Sequence, residues 1–197
     1  MESGAQGQAD LIQRLELIER LVADGRRSTW SWGWAFVVWG AGHLAALAWG
    51  ALRPGASGVE WGVTMFACGL ITAVGSAWRK RREPRRPASE RAVGAVWTAF
   101  VASLFLLLAL GPGAALPPRT LGALVLILLG SANVASALVL RWRVQLAAGA
   151  VWWVVGLAQV YAPPRAGDLA FAAAALLCEV GFGLWLMRQE RRGGEGA

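Results

Sequence analysis

The chain has 197 residues, 56% of them hydrophobic and 16% charged, with a formal net charge of +7, 12 tryptophans, 2 cysteines and 1 histidine. Soluble domains carry nearer ~25% charged residues, whereas the apolar residues here run in blocks of about twenty, the length a helix needs to cross ~30 Å of hydrocarbon. The composition excludes several membrane chemistries: His43 alone cannot give one protomer a bis-histidine haem or a multi-His metal site, and Lys80, the only lysine, sits in a basic loop instead of an apolar block.

The aspartates, Asp10, Asp24 and Asp168, fall in tails or at a helix end, and no HExxH, GxSxG or P-loop pattern is present. Catalysis is therefore disfavoured, and neither a metal nor a cofactor is expected. Cys68 and Cys178 lie inside apolar segments, where they behave as small hydrophobes. No short apolar stretch ends in a cleavage motif, so no removable signal peptide is expected.

In chain order, residues 1–28 read as a cytoplasmic segment holding an amphipathic helix at 10–24. Asp10 and Gln13 form a capping box, Gly25 is a natural stop, and Leu11, Leu15, Ile18 and Val22 share one face. A helix this short is marginal alone in water. Its stripe is expected to pack on the bundle, on a second copy of the chain as a homo-oligomer, or on a protein partner.

Six membrane spans follow within a domain of residues 29–188, at about 30–52, 59–78, 92–115, 120–140, 144–162 and 166–187, and residues 189–197 read as a disordered tail. The fifth span, carrying Gly149, Gly156 and Gln159, is the weakest of them. Between the second and third lies the loop RKRREPRRPASER at 79–91. Its Glu83, Pro84 and Pro87 disfavour a helix through the middle, and Arg79, Lys80, Arg81, Arg82, Arg85 and Arg86 suit anionic headgroups. Without a fold or an aromatic around it, nucleic acid is not an expected partner, and the sequence pI of 11.1 reflects topology instead.

With both termini cytoplasmic, sixteen Lys and Arg residues lie inside and three, Arg53, Arg119 and Arg165, lie outside. The expected localisation is a membrane of the bacterial inner (plasma) type. Most tryptophans read as interfacial anchors, Trp61 among them, while Trp39, Trp152 and Trp153 lie deeper. Three helix hairpins each have a Pro-containing outer turn and a closing arginine, a pattern that either a parallel repeat or short loops with positive-inside charge would produce.

His43 and Glu179 fall near the middle of the first and sixth spans, with Thr72, Ser103, Ser131 and Asn133 at similar depth. Buried ionisable groups in a membrane are costly and mark functional candidates. Trp39 is one turn from His43, and Ala175, Glu179 and Gly183 line a small-residue face, as do Gly42, Ala46 and Gly50, and Gly69, Ala73 and Ala77. A His43 to Glu179 contact is geometrically allowed. The ligand-binding or proton-responsive candidates are His43, Glu179, Trp39, Asn133, Trp152 and Trp153.

The expectation is thus an all-α bundle of six transmembrane helices preceded by a short amphipathic helix. Its expected role is that of a non-enzymatic sensor, regulatory or accessory subunit. The alternatives are a small proton-coupled carrier using His43 and Glu179, and a lipid- or quinone-binding enzyme subunit.

Overall fold

A computed structural model describes residues 31–53, 58–82, 88–110 and 116–194, together with Gln13 and Leu17. Among these the chain is helical throughout: α1 (Gly33–Leu52), α2 (Val59–Arg82), α3 (Ala88–Leu110), α4 (Pro118–Leu140), α5 (Arg143–Tyr161), α6 (Pro164–Ala174), a π-helical segment (Ala175–Gly181) and α7 (Phe182–Gly194). Since α6, the π segment and α7 join without a break, six helical rods are long and apolar enough to cross a membrane. The residues expected to mediate association, Leu11, Leu15, Ile18 and Val22, lie outside the described residues.

Local chemistry sets the helix ends. Pro118 and Pro164 open α4 and α6, each behind an extended proline, where the missing N–H costs nothing. Arg141 ends α4 in the left-handed region at φ 49°. There its N–H reaches Leu138 O and the Trp142 N–H reaches Ala137 O, satisfying two terminal carbonyls. A non-glycine residue in this conformation costs roughly 1–2 kcal/mol, and in return α5 starts two residues later, antiparallel to α4.

Two seams bring backbones together. Between α4 and α5, a Cβ on Gly130 would lie 2.8 Å from Gly149 O, and one on Gly149 would lie 2.9 Å from Gly130 O. Between α1 and α7, Gly33 and Gly183 stand in the same relation, 2.7 and 2.6 Å from each other's carbonyl oxygen. Around these seams the rods follow the order α2, α1, α6 to α7, α5, α4, α3. The most extensive seam, α4 with α5, joins two of the expected hairpins instead of closing one.

At the arginine-rich end, Leu140, Trp142, Phe182 and Leu186 form a buried cluster with Phe36 and Val93 against it. The Phe36 and Phe182 rings meet edge to face at 5.2 Å. Trp97 of the peripheral α3 reaches Phe36 at 6.5 Å. Elsewhere α2 and α3 leave Phe66, Leu70, Val74, Phe105 and Leu106 exposed, surfaces suited to lipid tails.

Several boundaries differ from the sequence expectation. α2 runs past 78 to Arg82 and α3 starts at Ala88 instead of 92, because the charged ends continue the helices beyond the apolar blocks. α7 continues to Gly194 where a disordered tail from 189 was expected, and its Glu190 lies 3.7 Å from Arg79. The fifth span is an unbroken helix, its glycines being points of close approach. Gln159 Nε2 donates to Gly167 O at 3.0 Å, tying α5 to α6 across the Pro163 turn. The Gly69 face of α2 packs on nothing within 4 Å, and Ala73 and Ala77 are exposed. The close approach on that helix is instead at Gly75, where the Trp34 ring lies.

Candidate functional site

His43 projects from the middle of α1 and Glu179 from the π segment. One turn before His43, Gly40 has no side chain to hold the helices apart: a Cβ there would fall 2.9 Å from the Glu179 Cβ and 3.0 Å from the Val180 N. On the other helix the hydrogen-bond register widens, with the Phe182 N–H reaching back to Leu177 O. Such a wide turn re-aims the side chains within it and is found mostly at functional positions. Here it puts Ala175 and Glu179 on the buried side while Leu176 and Leu177 stay exposed.

The result is a 2.7 Å contact between His43 Nδ1 and Glu179 Oε2, with side-chain exposures of 12% and 6%. One proton bridges these atoms, whichever of them carries it. Among the described residues, His43 Nε2 makes no hydrogen bond, and Glu179 has no cationic partner other than His43. Burial of the pair strengthens their attraction and penalises loss of either partner, since a lone charge would stay in apolar surroundings.

Aromatic rings from four helical elements enclose the imidazole. Phe171 of α6 stands 5.5 Å from it edge to face, with Trp39 of α1 at 6.1 Å, Trp61 of α2 at 6.2 Å and Trp152 of α5 at 6.4 Å. Trp39 is fixed by donating from Nε1 to Thr72 Oγ1 at 3.1 Å. Trp152 is 1% exposed and packs with Phe171, Leu126, Val155, Ala174 and Ala175. The rings surround the imidazole with apolar surface on several sides.

Of the candidates named from the sequence, the structure gathers His43, Glu179, Trp39 and Trp152 in one place. Asn133 is buried on α4 but donates to Leu129 O on its own helix at 2.9 Å. Trp153 is partly exposed on the α4–α5 seam, donating to Ile127 O and Ser131 Oγ, each at 3.2 Å. Neither makes a contact with the His43 ring or with Glu179. Among the basic candidates, Arg79 donates to Ser31 O and pairs with Glu190, and Arg81 is exposed. The side chains of Lys80 and Arg82, and all of Arg85 and Arg86, lie outside what is described.

Sequence reasoning missed three members of this region. Trp61, read as an interfacial anchor, packs against His43 and Phe171. Phe171 has no polar atom and sits in an apolar run, so its sequence context carries no signal. Glu60, not singled out from the sequence, is buried, and its Oε2 has no hydrogen-bond partner among the described residues. A signal was available: Glu60, Thr64, Cys68, Thr72 and Ser76 recur at every fourth position, which makes one stripe of a helix. That stripe faces α1, with Glu60 beside Gly50, Cys68 Sγ against Gly42 and Thr72 holding Trp39.

No groups of three or more His, Cys, Asp or Glu side chains converge as a metal would require among the described residues. No protein family, curated protein or solved structure matches this chain.

Proposed function

We propose that this chain is a small integral membrane protein that acts as a non-enzymatic sensor or regulatory subunit, with the His43–Glu179 pair as its proton-responsive element. The observation that carries this reading is the 2.7 Å contact itself, made from within a π-helical turn and enclosed by aromatic rings. Histidine is the side chain whose ordinary titration range covers physiological pH. A change in its charge beside a buried carboxylate alters the attraction between α1 and the last rod, which is a mechanical output. Both termini are cytoplasmic in this reading, and the stripe of Leu11, Leu15, Ile18 and Val22 passes the change to a second copy or a partner.

The test uses intrinsic tryptophan fluorescence, since Trp39, Trp61 and Trp152 surround the imidazole. Full-length protein in lipid vesicles, titrated between about pH 5 and 8, should show a transition that both His43→Gln and Glu179→Gln remove. A flat wild-type titration would refute the reading. Vesicles with a trapped pH dye separate sensor from carrier: sustained solute-dependent proton flux would favour the carrier. Orientation is checked by labelling a cysteine placed at Ser89, which should react only from the cytoplasmic side.

A further inference from the structure

A buried sensing pair needs a route by which protons reach it, and the two ends of the bundle differ. Toward the arginine-rich end, Phe36, Leu140, Trp142, Phe182 and Leu186 pack together, and the Gly33–Gly183 contact brings backbone onto backbone. Toward the arginine-poor end stands Glu60, in the first turn of α2, 6% exposed, with an Oε2 that finds no hydrogen-bond partner among the described residues. Buried polar atoms are nearly always paired, so such an orphan calls for a chemical reason.

The placement of Glu60 supplies one. Its Oε1 lies 3.8 Å from where a Gly50 Cβ would be. From Gly50 the same face of α1 runs through Ala46 to His43, a rise of ~10 Å along the axis. Gly50 and Ala46 keep that face low, while α2 opposes it with Thr64 between Glu60 and Cys68. Trp61, next to Glu60 in the chain, already touches the His43 ring at 6.2 Å.

We propose that Glu60 is the proton-exchange group through which the His43–Glu179 pair equilibrates with the solution at the arginine-poor end, along the α1–α2 seam. This rests on the pair being the sensing element. In the step, the Glu60 carboxylate takes a proton from water and becomes neutral. A proton then moves from it to the vacant lone pair of His43 Nε2 by way of water entering between α1 and α2, and Glu60 returns to the carboxylate. The pair changes from Nδ1–H donating to the Glu179 carboxylate, net charge minus one, to imidazolium and carboxylate, net charge zero. Among the described residues, the other titratable groups facing the pair are Cys68 of α2 and Cys178 beside Glu179; α5 and α6 present Trp152 and Phe171. The other charged groups described at the arginine-poor end are Arg53, Arg119, Arg165 and Asp168, all exposed.

The experiment is a stopped-flow pH jump on the full-length protein in vesicles of one orientation, read by tryptophan fluorescence. A jump on the arginine-poor side should be answered at least tenfold faster than one on the arginine-rich side. Glu60→Gln should slow the first response at least tenfold while the final amplitude, set by the pair, serves as the internal reference. Glu60→Asp should restore most of the rate. Gly50→Leu, which fills the space beside the carboxyl, should slow it too, and keeps the test decisive if Glu60→Gln inserts poorly. Equal rates from both sides, or rates untouched in Glu60→Gln and Gly50→Leu, would overturn the route while leaving the sensing pair standing. Absence of any wild-type amplitude at equilibrium would overturn the pair, and the route with it.

Discussion

Two helix pairs in this protein bring backbone against backbone, and they use that closeness differently. Along α4–α5, Gly130 and Gly149 let the rods touch, both helices stay regular, and Trp153 lies over the seam with its indole N–H bonded to α4. Along α1–α7, Gly33 and Gly183 do the same work, but toward the middle of the rods α1's partner leaves α geometry and aims a carboxylate at a histidine. Small residues alone therefore mark a contact. The wide turn and the buried ionisable pair are each unfavourable by themselves, and among the described residues they occur together against α1 and not along α4–α5.

The sharpest way to break the comparison is to overfill the structural seam. Gly149→Leu would put its Cβ 2.9 Å from Gly130 O and 3.0 Å from the Val134 N, backbone atoms that cannot swing aside. Overpacking of this kind costs about 3 kcal/mol or more. The expected outcome is loss of a monodisperse folded species on size-exclusion chromatography in detergent. Gly69→Leu, with nothing within 4 Å, should behave as wild type in the same assay.

A smaller and more selective change is Gly40→Ala. Its Cβ would meet the Glu179 Cβ at 2.9 Å and Val180 Cγ2 at 2.7 Å, so a side chain and part of the backbone must yield. The expected destabilisation is about 1–3 kcal/mol, measurable as a lowered Tm with the fold retained. The fluorescence transition between pH 5 and 8 should nevertheless disappear, because the strain acts on the residue that holds His43. A lowered Tm with an unchanged transition would show that the pair tolerates separation.

The spans were legible because apolar blocks of bilayer length have one common solution in a helical chain. Their charged continuations, to Arg82 and Gly194, were not, since hydropathy ends where the membrane would while the backbone has no reason to stop. The depth match of His43 and Glu179 could be read from position within the spans. Their contact could not, because it depends on the Ala175–Gly181 widening, and π geometry leaves no residue signature comparable to proline or glycine. Glu60 was missed for a different reason. Helix-end acids are ordinarily solvated, and only the neighbouring α1, with Gly50 opposite, reveals that this one is buried.

The smallest expected effect lies in the pair itself, and it decides whether the contact is energetic or only geometric. Glu179→Gln and His43→Gln each keep a hydrogen-bonding group of similar size, so neither leaves a large hole, and the ionisable partner left behind can turn neutral instead of staying charged and unpaired. Interhelical hydrogen bonds in membranes average only ~0.6 kcal/mol, because the separated helices find other partners. A charged pair in aromatic surroundings should exceed that, and a coupling of about 1 kcal/mol is expected from the double-mutant cycle of wild type, both single variants and the double variant. The cycle is measured by reversible unfolding in mixed micelles at a single pH. The same cycle built on Gly40→Ala should show the coupling fall toward zero, since that substitution moves the partners apart without altering either. Additivity within about 0.3 kcal/mol in the wild-type background would make the His43–Glu179 contact equivalent to the α4–α5 seam, a place where helices meet and nothing is sensed.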